Sequence, residues 1–229
     1  MLEINNYHVA YGQSEVINGM NLTLHPKEIV AIMGRNGMGK TTLMKSLIGM
    51  IPSSSGSVQL NGKELSELKS HQRVASGLGF VPQGRMIFSA MTVQENIETG
   101  LTSTNDNRVP DELYSLFPVL LEMRNRRGGN LSGGQQQQLA IARALASNPS
   151  VLLLDEPTEG IQPSIIKEMA RTLKQIRTQR NLSIIVSEQV LSFALDIADR
   201  IIVIEKGKIV HDEPREAVDE NKVAAYLSV

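Results

Sequence analysis

Cysteine is absent from the 229 residues. The chain can therefore form neither a disulfide nor a thiolate metal site, and it suits a reducing compartment. Net charge is nearly absent as well: 23 Lys and Arg stand against 24 Asp and Glu, a formal balance of −1. Nucleic acid demands a strongly basic face, so no nucleic-acid partner is expected. Long apolar runs are also missing. The longest, VLLLD and LSIIV, have strand length, whereas a bilayer-spanning helix needs about 20 apolar residues. The opening stretch MLEINNYHVAYG lacks the basic start and apolar run of a secretory signal. A soluble chain is expected, and any work at a membrane requires a separate membrane subunit. The length allows one large domain, or a core with an inserted lobe, that buries enough surface to need no covalent staples.

What is present is a series of short apolar runs: EIVAIMG (28–34), LGFVPQ (78–83), VLLLDEP (151–157), LSIIVSEQ (182–189) and RIIVIEKGKIV (200–210). They are nearly continuous in Val, Ile and Leu rather than alternating, as in strands buried on both faces of a parallel sheet. Helical patterns lie between them. Leu43, Leu47 and Met50 recur at helical spacing, and after Pro163 a stripe runs through Ile166, Met169, Leu173 and Ile176. Strands alternating with helices predict an α/β fold. The first sixty-odd residues predict a small antiparallel layer, with Asn61-Gly62 marking a tight hairpin. Residues 85–148 read mainly as helix and loop, with TSTNDNRVPDE as a polar connector and RNRRGGN as a basic loop. They predict a helical lobe inserted within a single domain spanning 1–229.

GRNGMGKTT, from Gly34 to Thr42, fits the spacing G-x-x-x-x-G-K-[ST] and stands between an apolar strand and an apolar-striped helix. Gly34, Gly37 and Gly39 let the backbone curl so that its N–H groups converge on an anion, and the helix dipole adds positive potential. Arg35, Asn36, Met38 and Thr42 complete the expected phosphate-binding loop. Lys40 would reach the β- and γ-phosphates of ATP, and the Thr41 hydroxyl would hold Mg²⁺. VLLLDEP ends a buried strand in two carboxylates at the carboxyl edge of a parallel sheet, where such folds bind ligands. Asp155 is expected to bind Mg²⁺, and Glu156 to accept a proton from an attacking water. A third stretch, LSGGQQQQLAIARAL, opens a helix at Ser132, Gly133, Gly134 and Gln135. It offers a second amino end suited to an anion.

In their order, the phosphate loop, LSGGQ and LLLDEP resemble the ATP-binding cassette (ABC) ATPases, and the likeness covers essentially the whole chain. It implies a P-loop NTPase core with a mainly parallel sheet, an N-terminal antiparallel β layer and an inserted helical lobe. It also implies that Tyr11 stacks on adenine and that Gln83 contacts Mg²⁺ or the attacking water, linking ATP to the helical lobe. The family forms head-to-tail dimers in which Ser132–Gln135 serve the partner's nucleotide. Arg124, Arg126 and Arg127 read as a solvated basic surface or, alternatively, as a docking patch.

Two positions depart from the family pattern. Gln162 stands where most members have aspartate, and Glu188 is aligned with a histidine. The stretches VPQGRMIF, VSEQ and DEPTEGIQP resemble the ATPase subunits of importers for branched-chain amino acids, urea and short amides, and TEGIQPSII leans towards urea. That resemblance implies two different ATPase subunits, with a homodimer as the alternative. It also implies two membrane permeases, a separate solute-binding protein, and a peripheral place on the cytoplasmic face of the inner membrane. Glu188 poses a physical problem, because an ionised carboxylate accepts hydrogen bonds and is repelled by a γ-phosphate. Either it turns away and bonds to backbone, or the site turns over slowly and the partner's site dominates. The rival functions are a non-transport ABC ATPase, an exporter subunit, and a nucleotide-regulated module without turnover.

Overall fold

Strand β1 (Leu2–Tyr11) pairs antiparallel with β2 (Ser14–Leu24) and with β4 (Ser55–Leu60) in the computed structural model, which describes residues 1–103 and 108–228. The short β5 (Lys63–Glu64) joins β4 through Asn61-Gly62, both at positive φ, as the hairpin signal predicts. These four strands are the expected antiparallel layer, in the order β2-β1-β4-β5.

The main sheet has the order β10-β9-β3-β8-β7-β6, formed by β3 (Ile29–Met33), β6 (Leu78–Val81), β7 (Val151–Asp155), β8 (Ser183–Glu188), β9 (Arg200–Glu205) and β10 (Lys208–Pro214). Strands β6, β7, β8, β3 and β9 run parallel. The run 200–210 holds two strands and the turn between them. It folds back at Lys206-Gly207, both left-handed, and β10 closes the edge antiparallel to β9. Every residue of β3, β7 and β8 is buried, which explains why these runs do not alternate.

The two faces of the sheet face different layers. Val30 and Ile32 pack with the antiparallel layer and with α1 (Lys40–Leu47). Ile29, Ala31 and Met33 face a layer that includes α6 (Gly133–Ala146), α7 (Pro163–Arg180) and α8 (Leu191–Ile197). The stripe on α7 is buried at Met169, Leu173 and Ile176, with Ile166 partly buried. Met50 departs from its expected place: α1 stops at Leu47, Gly49 takes a left-handed conformation, and Met50 lies beyond the helix, exposed.

Between β6 and β7 come α3 (Val93–Glu98), α4 (Asp111–Leu116), α5 (Pro118–Glu122) and α6, while α2 (Ser70–Ala75) precedes β6 and α9 (Glu220–Leu227) ends the order. Helices α3 and α6 both start with a side-chain cap. Thr92 with Glu95, and Ser132 with Gln135, form reciprocal capping boxes. The connector TSTNDNRVPDE lies in part outside the described residues. Among the described residues no helix is long and apolar enough to cross a membrane.

Candidate active site

The carboxyl ends of β3, β7 and β8 converge on a cleft of about 260 Å³ lined by Val16, Arg35, Asn36, Gly37, Gly39, Lys40, Thr41, Thr42, Gln83 and Glu156. Its floor is the turn from β3 into α1. Gly37 and Gly39 have φ of 79° and 105°, and a Cβ on Gly39 would stand 2.9 Å from Ile17 Cδ1. Both conformations favour glycine, and Gly39 also lies close to the Val16 carbonyl, 3.2 Å from where a Cβ would stand. Lys40, at the first position of α1, is buried. Its Nζ donates to Gly34 O at 2.6 Å and to Arg35 O at 3.2 Å, and lies 3.2 Å from Glu156 Oε1. The ammonium is thus held over the loop, facing the Glu156 carboxylate.

Asp155 ends β7, fully buried. Its Oδ1 accepts from Thr41 Oγ1 at 3.1 Å and from Ser187 Oγ at 2.6 Å, while its Oδ2 is buried without a partner. Burial pushes the Asp155 carboxyl above the usual carboxylate range, against the lowering effect of the Ser187 and Thr41 hydrogen bonds; the neighbouring Glu156 adds to the rise. A divalent cation taking oxygen ligands fits this donor set: a free carboxylate oxygen beside a threonine hydroxyl. Among the described residues no cluster of three or more His, Cys, Asp or Glu could hold a metal.

Glu156 follows at φ 45°, a left-handed conformation uncommon outside glycine and often found where function requires it. Its N–H is held by Ser187, donating to the Ser187 carbonyl at 3.0 Å and to Oγ at 3.2 Å. Its carboxylate is gripped by two amides. Gln83 Nε2 donates to Oε2 at 3.3 Å, and Gln189 Nε2 donates to Oε1 at 2.9 Å and to Asn36 Oδ1 at 2.8 Å.

Glu188, counted among the candidate catalytic residues, does not line the cleft: it turns away and bonds to backbone, the first of the two expected alternatives. Its Oε1 accepts from the Thr158 N–H at 3.0 Å, and its Oε2 accepts from the Gln189 and Val190 N–H groups at 3.0 and 3.2 Å. The reason is strand alternation. Ser187 and Gln189 share one side of the chain leaving β8, and Glu188 takes the other. Ser187 and Gln189 are therefore the side chains on the Asp155-Glu156 pair that the sequence did not single out; their two-residue spacing, opposite the end of β7, was the available signal.

Other expected residues also stand apart. Tyr11 ends β1, exposed, and does not line the cleft. The Met38 side chain turns from the cleft: its sulfur accepts from the Lys206 N–H at 3.4 Å, and its own N–H donates to Arg35 O at 3.4 Å. Ser132, Gly133, Gly134 and Gln135 lie outside the cleft, at the start of α6. Ser132 and Gln135 cap that start, with Gln135 Oε1 accepting from the Ser132 N–H at 2.9 Å. Gly134 packs so closely that a Cβ would stand 2.8 Å from Ile165 Cγ2. Gln162 is the N-cap position of α7 and makes no side-chain cap bond.

A buried cation on a glycine loop, an orphaned aspartate oxygen and an amide-clamped glutamate together form a machine for phosphoryl chemistry. The sequence pattern of the ABC transporter family matches residues 17–159. The chain belongs to that family. It is an ABC ATPase. It is 39% identical over 232 residues, covering 99% of both chains, to the Pseudomonas aeruginosa protein BraG, named a high-affinity branched-chain amino acid transport ATP-binding protein. It is 32% identical over 235 residues, covering 99% of this chain and 97% of the other, to Haemophilus influenzae LptB, a lipopolysaccharide export system ATP-binding protein. The fold matches that of the ATP-binding cassette MJ0796 in a dimeric post-hydrolysis state bound to ADP and Pi. The TM-score is 0.84 at 24% identity, over 95% of this chain and 100% of that one.

Proposed function

We propose that the chain is the ATP-hydrolysing subunit of an ABC importer for branched-chain amino acids. The likeness to BraG, 39% identical over nearly the whole of both chains, carries this reading. The urea and short-amide reading rests on the wording TEGIQPSII alone, and the more similar relative favours branched-chain amino acids over it.

Hydrolysis follows from this chain's own groups. The loop N–H groups and Lys40 bind the phosphates, and Thr41 with Asp155 would hold Mg²⁺, which neutralises charge on the phosphates when bound. Glu156, fixed between Gln83 and Gln189, accepts the proton of the attacking water. The start of α6, well outside the cleft, serves a second ATPase subunit's nucleotide; that subunit is a different chain, or in the alternative a copy of this one. An apolar groove of about 420 Å³ beside Gln83's segment, lined by Ile48, Met50, Phe80, Met86 and Phe88, is the docking place for a permease subunit at the cytoplasmic face of the inner membrane. A solute-binding protein delivers the amino acid from the other side.

The test is uptake by proteoliposomes holding the chain with its candidate permeases, second ATPase and solute-binding protein. ATP-driven uptake of labelled leucine, lost in Glu156→Gln, is the expected result. Stimulation by urea in place of leucine would transfer the assignment to the urea branch. Turnover indifferent to every solute-binding protein would favour an exporter, the activity named in LptB.

A further inference from the structure

The segment that follows Gln83 is unusual in its backbone. Gly84, Arg85 and Met86 all have positive φ, at 75°, 67° and 46°, although the second and third are not glycine. Such conformations persist where the surroundings over-determine them. Here Arg85 supplies the determination. Its Nη2 donates to Glu159 O at 2.8 Å, in the turn that carries the chain away from Glu156. Its carbonyl accepts from Arg143 Nη2 at 3.2 Å, on α6. The guanidinium also lies against the start of α6, since a Cβ on Gly133 would stand 3.6 Å from both Nη1 and Nη2. Its Nε is buried without a partner. One residue therefore touches three segments: the Gln83 loop, the turn after Glu156, and the helix that opens with Ser132-Gly133-Gly134.

We propose that Arg85 is a positioning residue that ties these three segments into one moving unit. Arg85 does not line the nucleotide cleft, so it acts through its neighbours. The turn after Glu156 is held at two adjacent residues, by Glu188 accepting from the Thr158 N–H and by Arg85 donating to Glu159 O. Releasing the Arg85 side frees the turn to drift, and Glu156 with it. It also uncouples the start of α6 from the Gln83 loop. A displacement of about 1 Å in a reacting geometry can cost about a hundredfold in rate. Binding of ATP to the phosphate loop, by contrast, uses groups that Arg85 does not contact. The proposal rests on Glu156 as the base.

The test compares Arg85→Gly, Arg85→Lys and the parent chain in the assembled complex. Arg85→Gly tolerates the positive φ, so the fold is spared and the tether alone is removed. Expected is a loss of kcat of about tenfold or more, with ATP affinity, measured by a fluorescent ATP analogue, within about twofold of the parent. Arg85→Lys, which keeps one reaching donor without the planar fork, should recover part of kcat. The proposal is overturned if kcat of Arg85→Gly stays within about twofold of the parent. It is equally overturned if ATP affinity falls in step with kcat, or if kcat merely tracks melting temperature across the variants. Glu156→Gln is run alongside: parental turnover in that variant would remove Glu156 as base, without bearing on whether Arg85→Gly changes kcat.

Discussion

The Glu188 carboxylate accepts a hydrogen bond of 3.0 Å from the backbone N–H of Thr158, thirty positions away in the chain. This bond ties the end of β8 to the turn after Glu156, while Gln189, the next residue, donates to Asn36 and Glu156 at the cleft. Glu188 thus bonds the scaffold, and Gln189 bonds the carboxylate of the proposed base. Glu188→Gln keeps one carbonyl acceptor and should retain ATP hydrolysis within a fewfold of the parent. Gln189→Ala removes one of the two amides on Glu156 and should lower kcat by about tenfold, less than the roughly 10²–10⁴-fold that a positioned proton-transfer group itself contributes. Steady-state kinetics of the two variants in one assembled complex decide the matter. The reverse order of damage would return Glu188 to the catalytic centre.

Removing the Glu188 carboxylate altogether is a different experiment. In Glu188→Ala, the Thr158 N–H loses its acceptor in a buried setting, and the Gln189 and Val190 N–H groups lose theirs in a half-buried one. An unsatisfied buried donor costs about 1–3 kcal/mol. Urea denaturation should show the midpoint falling, with Glu188→Gln intermediate. A midpoint unchanged in Glu188→Ala would mean that water replaces the carboxylate at no cost.

The pH dependence of Asp155 has a definite sign. Burial raises its carboxyl above the usual range, so the folded chain holds this proton at a pH where the unfolded chain has lost it. The stability of the nucleotide-free chain therefore declines as pH climbs from the ordinary aspartate range to the raised value, and the deficit persists above it. Asp155→Asn keeps an acceptor for Thr41 and Ser187 but cannot ionise. It should melt about 2 °C or more above the parent near neutral pH, and the gap should close under acid conditions where both are uncharged. Calorimetry across pH checks this. The same variant should lose about tenfold or more of Mg²⁺-dependent turnover, because the free oxygen is gone.

Much of this was legible in the sequence, and the residues that were not share one cause. Continuous apolar runs revealed strands buried on both faces, and Asn61-Gly62 revealed its hairpin, because both signals are local. The phosphate loop was legible because an anion cradle needs its glycines and lysine contiguous. Ser187 and Gln189 were missed because their partners, Asp155 and Glu156, lie on a neighbouring strand. Only the parallel pairing of β7 with β8 brings them opposite one another. Glu188, between Ser187 and Gln189, shows how sharply strand alternation matters: a shift of one residue exchanges scaffold for site.

Arg73 is a long-range feature of another kind. Although 1% exposed, it is paired with carbonyls. Its Nη1 donates to Ser46 O and Leu47 O, both at 2.8 Å, its Nη2 to Ser66 O at 2.7 Å, and its Nε to Leu68 O at 2.9 Å. The cation closes the last turn of α1, where the helix dipole favours positive charge. Gly49 makes room for it, since a Cβ there would stand 2.9 Å from Arg73 Nε. Arg73→Met leaves several carbonyls without their donor, and should destabilise the chain by about 3 kcal/mol or more. In a domain of this size that is about 6 °C or more in melting temperature. A melting temperature within experimental scatter of the parent would show the guanidinium to be dispensable.

The last prediction concerns the groove beside the Gln83 segment. Met50, Met86 and Phe88 are 55%, 61% and 47% exposed, so three large apolar side chains meet water along one depression, where Arg143 also stacks 5.3 Å over the Phe88 ring. Exposed apolar surface gathered in this way marks an interaction site, and flexible methionines adapt to a partner's contour. Met50 lies outside α1 and touches none of the catalytic side chains described above, so Met50→Glu tests the groove without disturbing the cleft. A buried carboxylate at an apolar contact would carry a desolvation penalty. The variant should bind a fluorescent ATP analogue as the parent does, yet recover about tenfold less permease in co-purification from membranes. Full co-purification and parental transport would exclude the groove as the permease contact. ATP binding lost together with assembly would show that Met50 supports the fold instead.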